Sequence, residues 1–118
     1  MKKTLPIPEQ EQFQALASGL KEVYSLLTEY LGDLNNAPDF RQYITVSRAQ
    51  LAGYLRCHPE LAERHISKPS SSRYHESPVL ERTGGKFLVY EIDHGRPWNM
   101  KEFMDMADAT AEYLMWGW

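Results

Sequence analysis

The chain has 118 residues, 42% hydrophobic and 25% charged, with a net charge of −3. This is the length and composition of one globular domain, which excludes two separately cored domains and a chain disordered throughout. Its single cysteine, Cys57, excludes an internal disulfide and a thiolate zinc cluster.

Residues 1–7 read as a flexible lead. Lys2 and Lys3 resemble the start of a signal peptide, but Glu9-Gln10-Glu11-Gln12 stands where the apolar run would have to follow. No later stretch approaches the ~20 apolar residues that cross a bilayer, so the expected setting is a reducing cytoplasm without membrane contact. Phe13, Leu16, Leu20, Val23, Leu27, Tyr30 and Leu34 then recur at spacings of three and four. That pattern predicts one long amphipathic helix over 9–34, packed on its own domain or forming a homodimer seam. Pro8 suits its first turn, and Asn35-Asn36-Ala37-Pro38 ends it.

Residues 47–66 predict two short helices. Ser47 and Gln50 make a capping box with Val46 and Leu51 at the staple positions; the second helix starts near Pro59 and runs to Ile66. Residues 67–77 are a polar loop. Val79–Arg82 and Lys86–Ile92 flank Thr83-Gly84-Gly85, a β-hairpin signal. Asn99 with Glu102 reads as a cap pair, and Trp98 with Phe103 as a staple, for a last helix. Its inward stripe is Phe103, Met106, Ala107, Thr110, Ala111 and Leu114. The expected fold is therefore α+β over 1–118: long N-terminal helix, short helical pair, antiparallel hairpin and C-terminal helix. The expected core is Phe13, Leu16, Leu20, Val23, Leu27, Leu51, Leu55, Leu61, Leu88, Tyr90, Phe103, Ala107 and Leu114.

Charge is unevenly spread along the chain. Residues 41–78 hold six basic and three acidic side chains, whereas 1–40 hold three and six, and 79–118 four and seven. Within the basic centre, Leu51-Ala52, Leu55 and Ala62 are spaced so that residues 47–66 resemble the helix-turn-helix of small repressors. The Gly-Gly hairpin that follows resembles the wing of winged-helix proteins. The resemblance implies a DNA-binding regulator that contacts phosphates through Arg48, Arg56, Arg64, Lys68 and Arg73 and dimerises by its N-terminal helix. Glu60 and Glu63 lie at the start of the second helix, and His65 stands where the pattern has a core aliphatic.

Catalytic constellations are poorly represented. Cys57 and His58 are sequence neighbours, which does not bring a nucleophile and base together in space. His58, His65 and His75 have spacings of seven and ten that match no ligand motif, so no metal or other cofactor is expected. Thr83-Gly84-Gly85-Lys86 lacks the flanking glycine of a phosphate loop. Asp93-His94-Gly95-Arg96-Pro97 reads as a connection.

The C-terminus points elsewhere. Tyr113, Trp116 and Trp118 cluster there, and aromatic side chains dominate protein-binding hot spots. With Asp105, Asp108 and Glu112 they form the expected contact set for a partner protein. Glu22 and Glu29 add acidic steering toward a basic target. A non-enzymatic binding module, an inhibitor of the immunity, antitoxin or anti-defence kind acting by steric blockade, is thus the first reading. DNA-binding regulation is the second, and a small enzyme using His94, His58 or Cys57 is the third.

Overall fold

The computed structural model describes residues 5–32, 40–66 and 78–116. The helices are α1 (Glu9–Ser18), α2 (Leu20–Leu31), α3 (Arg48–Cys57), α4 (Pro59–Glu63) and α5 (Met106–Leu114), with a 3-10 turn at Phe40–Tyr43. The strands β1 (Val79–Thr83), β2 (Lys86–Asp93) and β3 (Arg96–Phe103) form one antiparallel sheet in the order β1-β2-β3. The α+β class is as the sequence predicts; two of its elements differ.

The expected long N-terminal helix is a helical hairpin. Gly19 lies at φ 124°, ψ 175°, a conformation in which a Cβ is strained, and the chain reverses there. Tyr30, near the end of α2, donates its hydroxyl to the Glu11 carboxylate in the first turn of α1 at 3.0 Å, so the helices run antiparallel. The seven-residue periodicity survives because both halves turn apolar faces to one core: Leu16 from α1, Val23 and Leu27 from α2. Gly32 caps α2, ending it before the predicted stop; Leu34 and the Asn35–Pro38 signal lie outside the described residues.

The second correction concerns residues 96–103, which form a third strand where the sequence suggested the start of the last helix. His94 (φ 51°) and Gly95 (φ 77°) make a two-residue turn that returns the chain along β2, with Asp93 opposite Arg96. Positive φ at both central positions gives a turn whose twist matches that of paired strands. Asn99 does not cap a helix. It sits at φ 55° in a β-bulge: Val89 pairs with Lys101 and Glu91 with Trp98, so Tyr90 faces both Asn99 and Met100. The helix starts at Asp105 instead, whose carboxylate accepts from the Ala107 N–H at 3.2 Å.

The predicted capping box is present, since Ser47 Oγ accepts from Gln50 N–H at 3.1 Å and the Gln50 amide oxygen accepts from Ser47 N–H at 2.7 Å. The second helix is shorter than expected, five residues, and His65 follows it in a turn.

α5 lies at the centre of the fold. Ala107 and Ala111 pack on the helical core with Leu51, Ala52 and Leu55 of α3, while Ala109 packs on Leu80 and Val89 of the sheet. Alanines let both neighbours approach the α5 backbone closely. Of the expected core, Leu16, Val23, Leu27, Leu51, Leu55, Tyr90 and Ala107 are buried, and Phe13, Leu61, Leu88, Phe103 and Leu114 are partly so. Two polar side chains in the core are completely inaccessible: Gln12, which the sequence did not place there, and Thr110, which faces inward as expected and whose hydroxyl has no hydrogen-bond partner among the described residues.

Candidate protein-binding site

The two sets of charged residues that the sequence offers as rival surfaces bind each other. Arg56 of α3 donates from Nε to Asp105 at 2.8 Å and lies 2.7 Å from Asp108. Arg48, one end of the same helix, donates to the Met115 carbonyl at 2.9 Å and stands 3.5 Å from Glu112. Lys101 of β3 meets the other Glu112 oxygen at 2.7 Å. Glu112 is 8% exposed, so this carboxylate is a structural link among α5, α3 and β3. Arg64 is exposed and has no ion pair among the described residues. Lys68, Arg73 and Trp118 lie outside them.

These pairs have a pH signature. Burial is the largest single influence on Asp105 and pushes its carboxyl up. The Arg56 hydrogen bond, the Ala107 N–H and the Arg56 charge outweigh it, leaving the net shift downward. The hydrogen bond from Arg82 likewise lowers Glu63, 2.6 Å away. A carboxyl with a lowered folded pKa binds fewer protons folded than unfolded near pH 4, so its stabilisation is present above that pH and is lost as pH falls through the folded values. The thermal midpoint is therefore expected to fall as the pH is taken from about 5 to 3. Arg56→Gln with Arg82→Gln should flatten that fall, as read by circular dichroism melts across the range.

The helix-turn-helix geometry is shortened. α3 and α4 are separated by His58 alone, and a five-residue α4 spans about 7.5 Å. Arg48 and Arg56 are directed at α5. Glu63, on α4, holds Arg82 of the hairpin. His65 is 7% exposed and its Nε2 donates to the Ala17 carbonyl at 2.6 Å, joining this turn to the end of α1.

The groups considered for catalysis are dispersed. Cys57 is exposed, the His58 ring lies 4.5 Å from that of Tyr54 at a tilt of 51°, and His94 stands at the tip of the β2–β3 turn. His75 lies outside the described residues. Among those described, no three His, Cys, Asp or Glu side chains are grouped to hold a metal ion, and no helix is long and apolar enough to cross a membrane.

Two of the three predicted C-terminal aromatics, Tyr113 and Trp116, are held within the fold. Tyr113 packs in the cluster between α5 and the sheet, 5.8 Å from the His65 ring. Trp116 is half-buried; its indole N–H donates to Glu91 at 2.6 Å, and the Lys101 ammonium lies 5.3 Å from its ring centre.

Among the described residues the most exposed large apolar side chains are on β3 and just beyond it, Trp98 at 56%, Met100 at 48% and Met104 at 74%, ahead of Leu5 and Tyr24 elsewhere. Seven of the eight β3 residues are exposed, and among the described residues β3 is an edge strand paired with β2. Trp98 is opposite Glu91, two residues along β2 from the buried Val89, and so shares the α5-facing side of the sheet. The sequence reading spent Trp98 on a helix staple and missed this surface. The available signal was His94-Gly95, a positive-φ turn directly after a strand, which would have made the next eight residues a strand and Trp98 an edge residue.

The fold and this surface together define an α+β domain that presents an aromatic and thioether edge on a short sheet. No protein family, curated protein or solved structure matches the chain.

Proposed function

We propose that the chain is a non-enzymatic, cytoplasmic protein-binding module that inhibits its partner by covering part of its surface, with β3 as the contact edge. The exposure of Trp98, Met100 and Met104 on one short segment is the observation that carries this reading. Tryptophan contributes large contact area with few torsions to freeze, and methionine adapts its shape to an irregular apolar surface. The two-residue turn and Pro97 pre-organise the segment, which limits the entropy lost on docking.

Contact is by side chains and not by strand addition. Pro97 offers no N–H, the bulge at Asn99 interrupts the outer row of backbone groups, and Lys101 adds a charge; all three disfavour pairing with another strand. The remaining charge favours a basic partner. Residues 9–31 contain Glu9, Glu11, Glu22 and Glu29 against Lys21, a net −3 equal to that of the whole chain. Their field steers a basic protein toward the domain before contact, more weakly as salt rises.

The test places a photo-cross-linking residue at Met100 in the native host, with a control at exposed Thr28 on α2. One discrete protein adduct from position 100, absent from position 28 and unaffected by nuclease, is the expected result. Adducts that vanish with nuclease would move residues 47–66 and DNA into first place.

A further inference from the structure

We infer that Glu91 and Trp98 together receive a basic side chain, lysine or arginine, from the partner protein. This rests on β3 being the contact edge. The fold contains its own template for the site: the Lys101 ammonium is 2.7 Å from the Glu112 carboxylate and 5.3 Å from the centre of the Trp116 ring, a cation between a carboxylate and an indole. The same two chemical groups, there supplied by α5 and the residues after it, recur on the β2–β3 strand pair. Glu91 and Trp98 are directly opposite across β2 and β3, which puts their Cβ atoms about 5 Å apart on one face of the sheet.

In this second pair the cation is missing. One Glu91 oxygen accepts the Trp116 indole N–H, a neutral donor that leaves the carboxylate's charge in place. Among the described residues, no lysine, arginine or histidine forms an ion pair with Glu91, whereas Asp105, Asp108, Glu63 and Glu102 each hold one and Glu112 holds two. Trp98, 56% exposed, presents its ring to solvent where a cation over the face would be attracted by the ring quadrupole. The net charge of −3 in α1 and α2 favours the same sign of ligand.

The test follows the Trp98 indole N–H by NMR in the full chain while two blocked five-residue peptides are added. One has arginine between leucines; the other has citrulline, the neutral near-isostere, in its place. The arginine peptide is expected to bind about 3- to 10-fold more tightly, and this advantage should shrink with salt. Glu91→Gln should reduce it severalfold while the fold is kept, because the glutamine oxygen still accepts the Trp116 N–H and only the Trp98 ring remains to attract the cation. Equal binding of both peptides, or an advantage left undiminished by Glu91→Gln, overturns the inference. That failure is distinct from failure of the contact edge, which the cross-linking at position 100 reports separately.

Discussion

Replacing Gln12 by leucine is expected to lower the unfolding free energy by about 2–4 kcal/mol, although leucine is the more hydrophobic residue and the site is completely buried. The Gln12 amide nitrogen donates to the Ile7 carbonyl at 2.8 Å and to Thr45 Oγ1 at 2.9 Å. Its oxygen accepts the backbone N–H groups of Thr45 at 2.7 Å and Val46 at 3.2 Å. One side chain thereby joins the segment before α1 to the segment before α3, neither of which has a strand or helix partner for those groups. Leucine would leave one carbonyl and two N–H groups without it, each costing about 1–3 kcal/mol where water cannot enter. Thr45 is exposed, so water recovers part of this and the total stays below the sum. Thr45→Ala removes a single acceptor and should cost less than about 1 kcal/mol. Urea unfolding of both variants checks the ranking; a Gln12→Leu loss no larger than that of Thr45→Ala would mean the amide does not join the segments.

Glu112→Ala is expected to cost about 2–3 kcal/mol, for a different reason. The carboxylate is 8% exposed and neutralises both Arg48 and Lys101. Without it two cations converge on one site, and the Arg48 Nε, an inaccessible atom, loses its nearby charge. Arg48 and Lys101 side chains are 40% and 48% exposed, so solvent screens part of the repulsion and the cost stays below that of a fully buried pair. Added salt should recover part of the loss. Exchanging Arg48, Lys101 and Glu112 together for leucine or methionine should recover most of it, since the desolvation of three charges disappears with them. Thermal melts at two salt concentrations measure both effects; a salt-independent loss would assign Glu112 a packing role only.

This second case shows where sequence reading reaches its limit. The apolar periodicities of 13–30, 48–55 and 106–114 were legible, as were the Ser47 cap and the Gly84-Gly85 turn, because each depends on neighbours in sequence. The fold-back at Gly19 was not, since a helix seam and a helical hairpin share one heptad pattern and only a backbone angle separates them. The pairing of the charged candidates with one another was not legible. Arg56 looked like a phosphate ligand and Asp108 like a partner contact, yet they lie 52 positions apart in the chain and meet at 2.7 Å. Long-range pairing of that kind leaves no local signature. Trp98 was hidden by a coincidence: Asn99 and Glu102 satisfy the spacing of a helix cap, while the actual cap, Asp105, stands six residues after Asn99.

The central claim, that β3 is the contact edge, is tested most directly by the affinity of the cross-linked partner for Trp98→Ser, Met100→Ser, Met104→Ser. All three side chains are largely outside the core, so the melting temperature should stay within a few degrees of the parent while affinity falls at least about 100-fold, the loss of two or more hot-spot contacts. Undiminished affinity in a folded triple variant would contradict the account and return the search to the acidic α1–α2 hairpin and the Arg64 surface.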